Sequence, residues 1–469
     1  MPRPASPYRC DACGAEAPRW TGRCPACGAW NTLTERIGTV PDRRSGRTRL
    51  PDPSRLLSLR EIGGEHPSRR SSGIPELDRV LGGGLVAGSV VLVGGDPGIG
   101  KSTLLLQAAA TLAQAEPVVY VSGEESPEQV AARSRRLGLN AEHLLLVAET
   151  HLETILPLIE QAHPRLAVID SIQTVYSDLT ESPPGSATQL RESTAALVRL
   201  AKKTGICLFI IGHVTKEGAI AGPRVLEHLV DTVLYFENDA GSRYRLIRSV
   251  KNRFGAANEL GVFAMTESGL REVRNPSAIF LSNRLESVSG SAVAVIREGS
   301  RPLLVEVQAL VDETPIVPPR RITVGSDPQR LILLLAILNR HSGYSVSGRD
   351  VFVNIAGGLR VSETAIDLPL LLAVWSNLVN QPLPRDLVAF GEVGLNGEIR
   401  PVFGGEERLQ EARKHGFRKA LVPKGNLSRT GRTGEPGFLA VETFSACIAA
   451  LSGDTRFRSA PETGSASPG

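Results

Sequence analysis

The sequence predicts an α/β protein: a parallel-sheet nucleotide-binding core, preceded by a small four-cysteine metal module and followed by an α+β domain. Three observations carry this. Cys10, Cys13, Cys24 and Cys27 form CxxC, ten residues, CxxC. Gly95, Gly100, Lys101 and Ser102 complete GxxxxGK[ST] between an apolar strand pattern and a helical one. From residue 276 the alternating strand–helix rhythm gives way to hairpins and apolar helices.

A chain of 469 residues has room for two to four domains. The hydrophobic fraction of 41% with 22% charged residues is that of a soluble globular protein. The net charge of +4 says little about partners. Its distribution says more: residues 1–70 hold 13 Arg and no Lys against seven acidic residues, a local net of +6. Such an arm suits nucleic acid and equally a solvated linker. No apolar run reaches membrane-spanning length, so no membrane association is expected. The opening MPRPASPYRC lacks the apolar region of a secretory signal. A cytoplasmic protein with reduced thiols is therefore expected.

The first element is CDACGAEAPRWTGRCPACGAWNT. Each CxxC pair wraps two thiolates onto one ion, and Gly14 and Gly28 follow as knuckle glycines. Four soft ligands with no open position describe a structural tetrahedral Zn²⁺ site. A rubredoxin-like iron site and a pair of disulfides are the alternatives, and the missing signal disfavours disulfides. So small a module draws its folding energy from the metal, with Trp20 and Trp30 expected to pack beside it. Residues 36–58, rich in Arg, Pro, Ser and Asp, read as a flexible basic linker.

The second element spans 59–275. SVVLVGG reads as a buried strand and KSTLLLQAAATLA as the helix after it. Between them Gly95, Asp96, Pro97, Gly98, Ile99 and Gly100 form a loop whose N–H groups curl around phosphates at the start of a helix, with Thr103 in its first turn. Lys101 is placed to reach the β- and γ-phosphates of ATP, and Ser102 to hold Mg²⁺. PVVYVSGEES, RLAVIDS, CLFIIGHVTK, DTVLYFEN and RYRLIRSVKNR read as further strands, near-continuously apolar and so covered on both faces. Polar residues gather at their carboxyl ends, where open α/β sheets bind ligands. Asp170 suits a second Mg²⁺-holding acid. Glu124, with Glu125 beside it, is the candidate to position the attacking water. His213 either senses the γ-phosphate or is a satisfied strand-end residue.

The third element, 276–455, carries the helical patterns PQRLILLLAILNRHSG and AIDLPLLLAVWSNLV among short strands. Residues 456–469 read as a disordered tail.

In order along the chain, the knuckle, GGDPGIGKST, YVSGEES, KNRFG (Lys251–Gly255) and the carboxyl domain together resemble the bacterial RadA (Sms) family of DNA repair proteins. KNRFG is the most specific of these signatures. The resemblance implies a RecA-like ATPase core, shared with KaiC and ring helicases, and a carboxyl domain like the proteolytic domain of Lon. It further implies an ATP-driven motor on single-stranded and branched DNA in recombinational repair, a hexameric ring, and cooperation with the RecA recombinase. A KaiC-like regulatory ATPase acting on protein partners is the alternative. In such rings a cation from one subunit completes the neighbour's site, so Lys251 or Arg253 is expected to neutralise γ-phosphate charge in trans. Contact with the DNA backbone, with Phe254 stacking on a base, is the competing role. Two segments suit pore-facing DNA loops: 173–193, and 213–228 with Lys216 and Arg224, the second favoured by its charge. Scattered arginines of the carboxyl domain (Arg320, Arg321, Arg330, Arg349, Arg360) offer weaker DNA candidates. Lon-type proteolysis needs a serine and a lysine. Leu370 stands at the serine's position and Glu406 at the lysine's, so no protease is expected.

Overall fold

The computed structural model describes residues 8–17, 20–30, 32–35, 68–213, 223–237, 243–281, 288–430 and 437–453. The expected linker at 36–58 and tail at 456–469 lie outside the described residues. The described residues fall in two compact units, divided between His66 and Pro67.

In the amino-terminal unit, Tyr8–Cys10 pairs antiparallel with both Glu16–Ala17 and Leu33–Glu35. Gly14 and Gly28 both have φ of 75°, the left-handed conformation each knuckle needs to close. Trp20 and Trp30 do not pack beside the metal as expected. They are 55% and 71% exposed, and Trp30 lies instead under the Arg23 guanidinium. A module of this size lacks the interior to bury two indoles.

The larger unit is built on two sheets. The first runs in the order Leu144–Ala148, Val118–Ser122, Leu166–Asp170, Cys207–His213, Val90–Gly95, Thr232–Glu237, Tyr244–Asn252, Leu260–Thr266 and Gly269–Glu272. The first six strands are parallel and the last three are added antiparallel, each reversing the one before it. Alternation along Val90–Gly95 sends Val91 and Val93 into one core, with Leu104 and Leu105 of helix Lys101–Leu112. Val90 and Leu92 enter the opposite core, with Ile155 and Leu197 of helices Leu152–Ala162 and Ala187–Thr204. Both faces are covered, which explains the continuous apolar runs. The edge strand Leu144–Ala148 was not anticipated, because its LLLVA run is only half-buried and follows a loop.

One sequence expectation needs correction. Residues 187–193 are not loop but the first turns of Ala187–Thr204, capped by the Ser186 hydroxyl. The preceding segment is tied down by buried Gln189, whose amide donates to Ser177 O, Thr180 O and Ser182 O at 2.9–3.1 Å. One side chain thus replaces the hydrogen bonds that a polar, Pro-broken segment cannot make for itself.

The second sheet orders Arg321–Val324, Arg349–Ile355, Arg301–Glu313, Ser291–Glu298, Leu387–Ala389, Lys419–Pro423 and Phe438–Val441. Helices Pro328–His341 and Asp367–Leu378 cover one face, and Gly405–Lys414 covers the other. Leu370 is buried in this core and Glu406 lies in the first turn of Gly405–Lys414. Most of the candidate arginines are committed internally. Arg320 pairs with Asp350, Arg330 with fully buried Asp367, Arg349 with Glu313, and Arg321 donates to backbone carbonyls. Arg360 is exposed and has no ion-pair partner among the described residues.

KNRFG ends in Gly255 because two chain segments touch there. A Cβ on Gly255 would sit 2.8 Å from the Gly82 Cα, closer than any side chain is tolerated. Gly255→Ala should therefore lower stability by about 1–3 kcal/mol, read as a lower urea midpoint with unchanged m-value.

Candidate functional site

Strand register assembles the site. His213 pairs beside Gly95, and Ser122 beside Asp170, so the carboxyl ends of four parallel strands finish at one level. The loop leaving Gly95 needs glycine where it curls: φ is 151° at Gly95, 74° at Gly98 and 118° at Gly100. Ile99 is buried and its carbonyl accepts from Arg245 Nε at 3.1 Å, which anchors the loop from the neighbouring antiparallel strands. Asp96, Pro97 and Gly98 stay exposed. Gly100 caps helix Lys101–Leu112, bringing Ser102 and Thr103 into its first turn.

Lys101 is only 2% exposed, and its ammonium donates to Gly95 O at 2.7 Å and Asp96 O at 2.8 Å. Among the described residues it forms no ion pair. Burial lowers its pKa from 10.5 to about 8, against the opposing pull of Asp170 and Glu124. A buried cation held by carbonyls beside the start of a helix is a seat for an anion.

His213 stands between the lysine and the acid. Its Nδ1 lies 3.1 Å from Lys101 Nζ, and its Nε2 lies 3.2 Å from Glu124 Oε1, off the ideal hydrogen-bond angle. The Ser171 hydroxyl donates to the same Glu124 oxygen. His213 first, then Ser171 and Lys101, hold the Glu124 carboxyl down at about 2. Glu125 turns away and pairs with Arg133 of the next helix. Asp170 is buried, and its Oδ2 accepts from the equally buried Tyr120 hydroxyl at 2.5 Å. The oxygen donors of Ser102 and Asp170 suit a hard cation such as Mg²⁺. The loop, Lys101 and this donor pair fit ATP with Mg²⁺, the metal neutralising phosphate charge. The tie from His213 to Glu124 could not be read from sequence, since it joins residues 89 positions apart; the only signal was that both end strands.

KNRFG lies elsewhere. Lys251 pairs with Val233, itself level with Leu92, and its ammonium donates to Glu227 O and Val230 O, both at 2.9 Å. Burial lowers its pKa, and Arg253 adds to the effect. Arg253 is 57% exposed at its side chain and lies 3.3 Å from Asp231 Oδ1. Asp231, buried, also takes Lys202 at 2.6 Å and the Val90 N–H at 3.0 Å. Phe254 is half-buried under Lys202. Arg224 is exposed on the short helical turn Pro223–Val225, and Lys216 lies outside the described residues.

In the amino-terminal unit, the four cysteine sulfurs lie within 4.8 Å of one another, with Cys10–Cys27 and Cys13–Cys24 at 3.7 Å. A disulfide requires about 2.05 Å, whereas a tetrahedron of thiolates about 2.3 Å from Zn²⁺ has edges of roughly 3.8 Å. The donor set fits zinc.

Two outcomes are expected. Cys24→Ser should abolish the single zinc equivalent found by metal analysis while leaving the urea transition of the larger unit in place. MgATP affinity should be flat below pH 8, where Lys101 is charged, and weaken above it by up to about tenfold per unit. The sign follows because phosphate binds the ammonium, and the folded chain gives up that proton at about 8 instead of 10.5. Glu124, held at about 2, stays ionised throughout this range. Calorimetric titration with a non-hydrolysable ATP analogue from pH 7 to 9.5 measures it.

The chain is similar to known proteins along most of its length. Residues 8–35 match a rubredoxin metal binding domain, 51–219 an AAA domain, and 327–426 the subunit ChlI of Mg-chelatase. The chain is 56% identical to DNA repair protein RadA of Pseudomonas aeruginosa, over 91% of this chain and 94% of that one. It is 53% identical to the Escherichia coli protein of the same name, covering 92% and 95%. With that of Halalkalibacterium halodurans the identity is 48%, over 91% and 94%. Similarity of this extent, through the zinc module, the phosphate loop and the carboxyl domain alike, makes the chain a member of the RadA family of DNA repair proteins.

Proposed function

We propose that this ATP-hydrolysing DNA repair protein is a DNA-dependent motor. It drives branch migration of recombination intermediates as a hexameric ring, in partnership with the RecA recombinase. The ring and the partnership rest on family membership. The observation that supports a trans mechanism is the position of KNRFG. The Arg253 N–H donates to Asp231 O, and the Asp231 N–H to Val90 O, so Arg253 lies level with the start of the phosphate-loop strand. Five residues of strand, about 17 Å at 3.3 Å each, separate that level from Gly95. The Lys251 ammonium points to the same far edge. Neither cation serves its own subunit's phosphates, whereas a neighbour stacked against that edge would receive both.

In this reading the phosphate loop and Lys101 bind the nucleotide, and Ser102 and Asp170 hold Mg²⁺. Glu124 orients the attacking water. A carboxylate held at about 2 is a weak base, so its contribution is orientation and polarisation before proton transfer. His213, touching both Lys101 and Glu124, reports γ-phosphate occupancy to the water-positioning acid. Glu125 has the lesser claim because Arg133 holds it. Lys251 or Arg253 neutralises transition-state charge next door, and Arg224 with the Lys216 segment contacts the DNA backbone. With leucine and glutamate at the positions of the protease dyad, the carboxyl domain serves as a scaffold.

Steady-state ATP hydrolysis with and without single-stranded DNA tests this. Wild type should be stimulated by DNA, and Lys101→Ala should be inactive. Lys251→Ala should bind ATP normally yet lose turnover by about 10³-fold or more. Wild-type turnover in Lys251→Ala would overturn the finger. A wild-type enzyme indifferent to DNA would overturn the motor and favour a regulatory ATPase acting on protein partners.

A further inference from the structure

The carboxyl domain meets the nucleotide-binding core across a shared apolar core that takes in Leu246, Leu260 and Val262, and through polar contacts at the tip of one hairpin, where Ser291–Glu298 turns into Arg301–Glu313. Four consecutive residues there each make a specific contact. Glu298 takes Arg248, which also donates to Glu237 at 2.9 Å; Arg248 and Glu298 are largely buried, while Glu237 is 39% exposed. Gly299 has φ of 57°, and a Cβ there would lie 2.8 Å from Glu259 Cδ and 2.9 Å from Asn258 O. The Ser300 N–H donates to Glu259 Oε1 at 2.8 Å. Arg301 reaches both oxygens of buried Glu76, at 3.1 and 2.9 Å.

These contacts converge on the KNRFG turn. Glu259 and Asn258 close that turn: Asn258 N donates to Ser249 O at 2.6 Å and Ser249 N to Glu259 O at 2.9 Å. Arg248 stands on the same strand as Lys251. Glu76 belongs to helix Pro75–Val80, whose Val80 carbonyl accepts from the Asn252 amide and whose following Gly82 packs on Gly255. The hairpin tip therefore grips the turn from both its supports. Glu76 and Glu259 are buried carboxylates, and such groups persist only where partners compensate their desolvation. Removing the hairpin would take the Ser300 N–H from Glu259 and leave Glu76 with only the Val262 N–H and the more distant Arg79.

We infer that the hairpin tip Glu298–Arg301 positions Lys251, so that the proteolytically silent carboxyl domain sets the ATPase rate of the neighbouring subunit. This rests on the trans-finger reading above. The hairpin residues touch neither nucleotide nor metal and act only by fixing the geometry of the turn. A displacement of about 1 Å at such a group is enough to lower turnover up to a hundredfold.

The test is ATP turnover of the full chain with single-stranded DNA for wild type, Gly299→Ala, Lys251→Ala and the double variant, with KM and thermal unfolding measured alongside. Gly299→Ala wedges the hairpin from the turn without leaving a charge unpaired. It should lower kcat about tenfold and leave KM for ATP within about twofold, because the phosphate loop is untouched. In the Lys251→Ala background the same substitution should have no further effect, the signature of two residues acting through one step. Unchanged kcat in Gly299→Ala, or losses that multiply in the double variant, would overturn the inference while leaving the finger intact. Wild-type turnover in Lys251→Ala would overturn the finger reading itself, and the inference with it. If Gly299→Ala unfolds below the assay temperature, Arg301→Gln takes its place with the same expectations.

Discussion

The direction of strand pairing is the constraint on which the rest depends. Six parallel strands end together, so Gly95, His213, Asp170 and Ser122 meet at one edge without any of them being close in sequence. The seventh strand, Tyr244–Asn252, runs the other way and finishes at the opposite edge. One sheet thus has two rims: one carries the phosphate loop, and the other carries Lys251 and Arg253. The ring proposed above would join the two rims of neighbouring subunits through a heterologous contact, each subunit giving at one face what it receives at the other.

The far rim is organised by a single carboxylate. Asp231 is buried and serves the Val90 N–H, the Lys202 ammonium and the Arg253 guanidinium together. Burying that charge is tolerable because three donors surround it. It thereby fixes the start of the phosphate-loop strand through Oδ2 and the orientation of Arg253 through Oδ1 of one carboxyl group.

Local signals made much of this legible. Glycines at the phosphate loop, apolar runs ending in Asp170 and His213, and the cysteine spacing each follow from short-range chemistry, and the strands and helices stand where those patterns put them. What escaped was the pairing of individual side chains. The pairing of Glu125 with Arg133 and of Glu124 with His213 depends on loop geometry, not on residue type. The arginines of the carboxyl domain look alike in sequence, yet Arg330 lies against buried Asp367 while Arg360 faces solvent. Gln189 gave no hint that it would clamp the segment before its helix, since an amide is as common on a surface as in such a role. The hairpin joint was invisible for the same reason: Glu76, Glu259 and Arg301 read individually as surface charges.

The pairing of Tyr244–Asn252 with Thr232–Glu237 slips once. Ser249 faces Leu234 and Lys251 faces Val233, with Val250 left over as a bulge. In an unbroken strand, Arg248 and Lys251 would project from opposite faces. The additional residue restores their parity, so the arginine that grips the carboxyl domain and the lysine of KNRFG share one side of the sheet. Substituting Val250 would leave that arrangement standing. Deleting it would turn KNRFG over while every residue of the motif stayed in place. At this point of the sheet the number of residues between the two cations therefore matters more than the identity of the residue that bulges.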